Sequence, residues 1–270
     1  MQKNPTVHEL FDIKGKVFLV AGGGRDLGKD MAVALAEAGA AGVITSRNAS
    51  LAAATAGEIS KATGKNILGL PLNAADENEV DQVFKTIIEN FRRIDILVNC
   101  VGGGALQQAS AKFEESRLEA WEGMHQLNVH TAFLLCKHAV ALMKKQGSGV
   151  IINIASIAGV VGRDRRVYPE GMNPQSVSYA SAKSAVIGFS RDLAAYLGPY
   201  GIRVNTISPG GFRRNQPASF IERYSDKVPL GRMGRDGVDL KGAALFLASD
   251  ASSYVTGHNL VVDGGFSIWQ

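Results

Sequence analysis

Tyr179 and Lys183 stand four positions apart in Tyr179-Ala-Ser-Ala-Lys183. On a helix that spacing puts both side chains on one face. A phenol ordinarily titrates near pH 10 and is a poor base at neutral pH, roughly three units below. A cation within about 4–6 Å favours the phenolate, so Lys183 is expected to draw Tyr179 down into the working range. The pair would then pass a proton to or from an alcohol or carbonyl oxygen. A Tyr and a Lys at this spacing also occur on ordinary solvated helices. The elements around them must therefore decide.

Those elements are legible. Apolar runs of strand length fall at 16–21, 42–45, 67–70, 94–98, 150–155, 202–207 and 259–262. Helical patterns fall at 26–38, 49–62, 76–91, 116–145, 177–197 and 239–248. Asp76 and Glu79 are spaced as a capping box. Alternating apolar strands and amphipathic helices imply a parallel sheet covered on both faces. Right-handed crossovers make it an α/β doubly wound sheet, a Rossmann fold of about seven strands. No repeat, low-complexity tract or linker divides the chain, so residues 1–270 read as one domain. Ligands of such sheets bind beyond the carboxyl ends of the strands.

Gly22-Gly-Gly-Arg-Asp-Leu-Gly28 joins the first strand to the first helix. Backbone N–H groups and the helix N-terminus there suit a pyrophosphate, although a turn that merely packs helix on strand would read the same. Gly22, Gly24, Arg25, Asp26, Leu27 and Gly28 are the candidate contacts. Ser46-Arg47 closes the second strand, where an acid would take a ribose hydroxyl and a base a 2′-phosphate. Arg47, with Arg25, favours NADP(H) over NAD(H), because guanidinium suits phosphate.

Composition narrows the class further. The net charge of +4, from 29 basic and 25 acidic residues, is mild and unclustered, so nucleic-acid binding is not expected. Cys100 and Cys136 lie in apolar stretches outside any Cys/His cluster, so neither a disulfide nor a metal site is expected and a reducing compartment fits. No apolar run is long enough to span a bilayer and residues 1–16 lack a signal core. A cytoplasmic protein without membrane partners is expected.

Taken together, these residues resemble the short-chain dehydrogenase/reductase family in its single-domain form, from Lys14 to Gly265. The matches are collinear: Gly22 to Gly28, Asn99 and Gly102, Asn128, Ser156, Tyr179 and Lys183, Ser208-Pro-Gly210, and Val262-Asp-Gly-Gly265. The likeness is to forms acting on 3-oxoacyl carrier proteins, sugars and polyols. It implies an NAD(P)-dependent oxidoreductase acting on a carbonyl or secondary alcohol, with the hydride chemistry belonging to the cofactor. It makes Tyr179 the general acid/base and Lys183 the cation that tunes it and holds the nicotinamide ribose. Ser156 would stabilise charge on the reacting oxygen. Asn128 would position a water linking Lys183 to solvent. Asn73 would meet the adenine, and Asn99, Val101, Gly102, Pro209, Gly210 and Phe212 the rest of the cofactor. A homo-oligomer, most often a tetramer, is also implied. Read alone, Ser156 is a strand-end serine and Asn128 a helix-interior amide bonding nearby backbone.

The chain departs from the family pattern on the cofactor side. Ala21 replaces a Thr, Asp26 a Gly, Cys100-Val101 an Asn-Ala pair, and Asn73 an Asp that an amide can still replace. The Asp26 carboxylate is expected to turn away, as a helix N-cap or paired with Arg25 or Lys29. These departures leave a second reading open, a dinucleotide-binding sensor with a relic active site. Ser156 and Tyr179 are 23 positions apart, longer than the family usually shows. The extra segment, with Arg163-Asp-Arg-Arg166 and Tyr168 to Pro174, is expected beside the catalytic pair, as is Arg213-Arg214. Clustered arginines favour carboxylate or phosphate, so the substrate is expected to be anionic or polyhydroxylated, 3-oxoacyl or sugar-like. The same loop would also serve as a solvated surface or subunit contact. Phe212, Phe220 and Trp269 are candidate pocket residues or simply apolar core.

Overall fold

A strand covered on both faces has no polar side to alternate, and all five residues of β1 (Val17–Ala21) are buried. The computed structural model describes residues 4–104 and 112–268; Trp269 lies outside them. After a short α1 (Val7–Leu10) and β1, the chain alternates through α2 (Asp26–Glu37), β2 (Ala41–Ser46), α3 (Ala49–Thr63), β3 (Ile67–Pro71), α4 (Glu77–Phe91) and β4 (Ile96–Asn99). Then α5 (Leu118–His125) and α6 (Thr131–Gln146) lead to β5 (Gly149–Ile154), α7 (Val177–Leu197) and β6 (Ile202–Pro209). Two-residue strands β7 (Phe212–Arg213) and β8 (Gly234–Arg235) flank α8 (Ala218–Ser225), and α9 (Lys241–Ala248) precedes β9 (Asn259–Val262).

The main sheet has seven strands in the order β3-β2-β1-β4-β5-β6-β9, and every pairing in it is parallel. The order reverses between β1 and β4, and a crevice opens there at the carboxyl ends. One face buries Leu35 of α2, Ile59 of α3 and Leu247 of α9. The other buries Ile87 of α4, Leu135 of α6 and Leu197 of α7. No helix among the described residues is long and apolar enough to cross a membrane.

Two local expectations are revised. Asp76 caps α4, accepting from Asn78 and Glu79 backbone N–H at 2.9 and 3.3 Å. Glu79 does not complete the box; its carboxylate accepts instead from Asn73 N at 2.7 Å and so fixes the end of β3. The long helix expected over 116–145 is broken by a π-helical turn at Gln126–His130.

Asp95 closes the amino end of the sheet. Its buried carboxylate accepts from Val17 N at 2.8 Å and from Arg93 Nε at 2.8 Å. Asp95→Ala would strand a strand-end N–H and the Arg93 charge, and is expected to lower unfolding free energy by roughly 2–4 kcal/mol in urea titrations. A loss below about 1 kcal/mol, the net worth of one ordinary hydrogen bond, would contradict that role.

Candidate active site

The reactive side chains converge at the carboxyl edge of the sheet. β5 ends at Ile154, and Ser156 follows in extended conformation, its hydroxyl accepting from Ala158 N at 3.2 Å. α7 then carries Tyr179 and Lys183 one turn apart, 9% and 4% exposed. Lys183 Nζ donates to the Ile154 carbonyl at 2.8 Å. That bond ties α7 to the strand end that presents Ser156. The same Nζ lies 5.9 Å from the centre of the Tyr179 ring.

Asn128 sits in the π-helical turn, a device common at functional sites because one extra residue re-aims a side chain. Its Nδ2 donates to the Met124 and Gly103 carbonyls at 3.0 and 3.1 Å, and its Oδ1 accepts from Gly103 N at 3.1 Å. It clamps the loop after β4. Gly102 has φ +140°, and a Cβ there would meet Asn128 Oδ1 at 2.4 Å and Lys183 Nζ at 3.2 Å. Only glycine allows this loop to close so near the ammonium.

Burial governs the titration of both groups. It pulls the Lys183 ammonium down to about 8. It pushes the Tyr179 phenol above its ordinary range; the Ser156 hydroxyl and the Arg163 charge act the other way without overcoming it. The expectation that Lys183 draws the phenol down is therefore corrected. The ammonium bonds the Ile154 carbonyl, and desolvation of the phenol wins. The Ser156 hydroxyl lies within hydrogen-bonding reach of the phenol.

One cleft of about 640 Å³ runs from the glycine turn to Ser156, Tyr179 and Lys183. The expected cofactor contacts line it, except Asn99 and Phe212. Asn99 is buried behind the wall, where its Oδ1 has no hydrogen-bond partner among the described residues. The Phe212 ring turns away to pack on Gly234, where a Cβ would meet it at 2.9 Å. Asn128 also stands behind the wall rather than on it. Sequence reasoning missed Thr45, which accepts from Gly22 N at 3.3 Å, and Thr55, which donates to the Gly24 carbonyl at 2.9 Å. It also missed Gln175 on the cleft wall, and it expected Arg214 beside the catalytic pair rather than, as found, against Asp26 of the glycine turn. Their partners are distant in sequence, so no spacing signals them.

The turn fits a dinucleotide. A Cβ on Gly28 would lie 2.1 Å from the Gly22 carbonyl oxygen, so only glycine lets α2 start against the turn. Asp26 takes φ +51°, a left-handed conformation that Asp tolerates. Its carboxylate does not cap α2. It lies 3.6 Å from Arg25 Nε and 3.4 Å from Arg214 Nε, while Lys29 pairs with Glu58 at 2.6 Å. The cleft stays continuous past it. Arg47 is exposed at the end of β2 on the cleft wall.

A family model described as enoyl-(acyl carrier protein) reductase matches residues 22–267. The chain belongs to the short-chain dehydrogenase/reductase family. It is 36% identical over 256 residues to a 3-oxoacyl-[acyl-carrier-protein] reductase of Synechocystis, covering 94% of this chain and 97% of that one. It is 34% identical to D-threitol dehydrogenase of Mycolicibacterium smegmatis, covering 96% and 95%. A solved gluconate 5-dehydrogenase of Burkholderia cenocepacia, in complex with NADP and tartrate, superposes with a TM-score of 0.86 at 30% identity, covering 97% and 99%. The protein is thus an oxidoreductase of a family that uses NAD(P), and its serine, tyrosine and lysine meet at one cleft. The relic-sensor alternative has no observation in its favour.

Lys183 titrates lower folded than unfolded, so its burial costs stability while it is protonated in both states. That cost is full below about pH 8 and fades as pH rises towards 10.5. Lys183→Met is expected to be more stable than the parent by roughly 1–3 kcal/mol at neutral pH, with the gap closing at high pH. Urea denaturation across that range checks it, and a methionine variant less stable at neutral pH would contradict it.

Proposed function

We propose that the protein is an NADP(H)-dependent oxidoreductase acting on a carbonyl or secondary alcohol that also carries anionic or multiple hydroxyl groups. The observation that carries this reading is the convergence of Ser156, Tyr179 and Lys183 at one end of a cleft whose other end holds the glycine turn and Arg47. A bound nicotinamide supplies or accepts the hydride. In reduction, Tyr179 gives its proton to the carbonyl oxygen while Ser156 hydrogen-bonds the same atom. Lys183, charged below about pH 8, favours the phenolate that remains. In oxidation the phenolate takes the proton back. Asn128 acts by positioning: its amide fixes the Gly103 loop against Lys183.

Arg47 and Arg25 on the cleft wall support NADP(H). On the substrate side, Arg166 is tied to Asp164, whose carboxyl it holds down at about 2; Arg214, expected there from sequence, instead pairs with Asp236 beside the glycine turn. Arg163 donates to the Gln175 backbone carbonyl and reaches the Tyr179 phenol with its charge. Arg163 is therefore the favoured reader of a substrate anion. Val167 of the extra segment packs with Phe220 and Tyr224. We further propose a homo-oligomer, supported by β9 as a half-buried sheet edge and by exposed Leu118, Trp121 and Phe133 on α5 and α6.

Tyr179→Phe is expected to lower turnover by about 10²–10⁴-fold, measured as NADPH oxidation against a panel of carbonyls sorted by charge. Near-parental turnover would remove Tyr179 from the mechanism. Arg47→Asp is expected to reverse the preference towards NAD(H) in kcat/KM. Unchanged preference, or a parent enzyme favouring NADH, would overturn the assignment of Arg47.

A further inference from the structure

Arg214 sits where its charge is needed twice. The segment after β7 brings it onto the cleft wall beside the glycine turn. Its Nε and Nη2 donate to the Asp236 carboxylate at 2.7 and 3.1 Å, a fork-to-fork pair that fixes the guanidinium plane. The same Nε lies 3.4 Å from Asp26 Oδ1. Nη1 makes no hydrogen bond to any described residue. The Arg214 side chain is about one-third exposed, so its charge reaches the turn and still responds to salt.

Asp26 is the other half of the problem. It occupies the left-handed position of the turn, at the N-terminus of α2. A carboxylate there suits the helix dipole. It is nonetheless a like charge at the spot where the turn offers its N–H groups to a diphosphate. Asp30, one turn along α2, adds a second carboxylate, which accepts from Gly237 N at 2.7 Å. A turn built this way would repel an anion unless a cation offset it.

Resting on the reading that this cleft takes a nicotinamide dinucleotide, we propose that Arg214 is a diphosphate-binding residue, anchored by Asp236, that neutralises Asp26 and grips the diphosphate through its remaining donors. Asp26 and Arg214 then form one unit. The turn exchanges the glycine of the family pattern for an acid and recovers the anion site with an arginine from a segment distant in sequence. The competing account is a purely structural clamp, in which Arg214 only ties its loop to α2.

A double-mutant cycle separates the two. NADPH dissociation constants are measured by nicotinamide fluorescence for the full-length parent, Arg214→Gln, Asp26→Gly and the double variant, with thermal melts alongside. Arg214→Gln is expected to weaken binding by about tenfold or more. Asp26→Gly is expected to bind at least as tightly as the parent, since glycine accepts the φ of that site. The double variant is expected to recover most of the loss. The affinity of the parent is expected to fall more steeply with salt, from about 0.05 to 0.3 M, than that of Arg214→Gln. Binding by Arg214→Gln within about twofold of the parent, inside the weakest loss expected for a charged hydrogen bond, overturns the proposal. So does an equal loss in the single and double variants, which marks a structural clamp. If the glutamine variant does not fold, Arg214→Lys takes its place; it keeps the charge without the fork, should bind about threefold or more weakly, and overturns the proposal if it binds like the parent. A parent that binds neither NADPH nor NADH overturns the cofactor reading itself, a result distinct from any of these.

Discussion

An ammonium buried against a strand-end carbonyl is the constraint around which this site is built. Lys183 Nζ meets the Ile154 oxygen at 2.8 Å, and one carbonyl returns only part of what an ammonium loses on leaving water, a deficit of several kcal/mol. The neighbouring structure follows from holding it there. α7 is drawn onto the end of β5, which brings Tyr179 over Ser156. Gly102 gives up a side chain so that its loop can close beside the ammonium. Asn128, turned inward by an extra residue in its helix, holds that loop in place.

The other end of the cleft is governed by backbone geometry and charge. Gly28 lets α2 begin in contact with the turn, while Thr45 and Thr55 pin that turn from two sides. Asp26 departs from the family pattern without closing the cleft, because its carboxylate is drawn between two guanidinium groups. The cofactor end therefore rests on side-chain electrostatics more than a glycine-only turn would. The substrate end is shaped by the segment between Ser156 and Tyr179, which folds back on α8 through Val167.

Much of this was readable in advance, for identifiable reasons. The seven strands stand out because burial on both faces leaves continuous apolar runs, as in Val17-Phe-Leu-Val-Ala21. Tyr179 and Lys183 stand out only beside the collinear family pattern, and the same pattern is what singles out Ser156. What sequence hides is environment. Spacing predicts that Lys183 faces Tyr179, but not that burial pushes the phenol up while the ammonium bonds the Ile154 carbonyl. The π-helical turn at Asn128 has no spacing of its own, so 116–145 reads as one helix. Phe212 follows a Pro-Gly pair into the expected loop, yet its ring packs the other way. The Asp26–Arg214 pair joins opposite ends of the chain, which only the fold brings together.

The most direct test of the buried ammonium is a titration of lysine side chains by NMR in the cofactor-free protein. One lysine is expected to titrate near pH 8, apart from the rest, and its signal should vanish in Lys183→Met. If every lysine titrates together near the ordinary value of about 10.4, Lys183 is not held as described, and the account of how this site is organised fails.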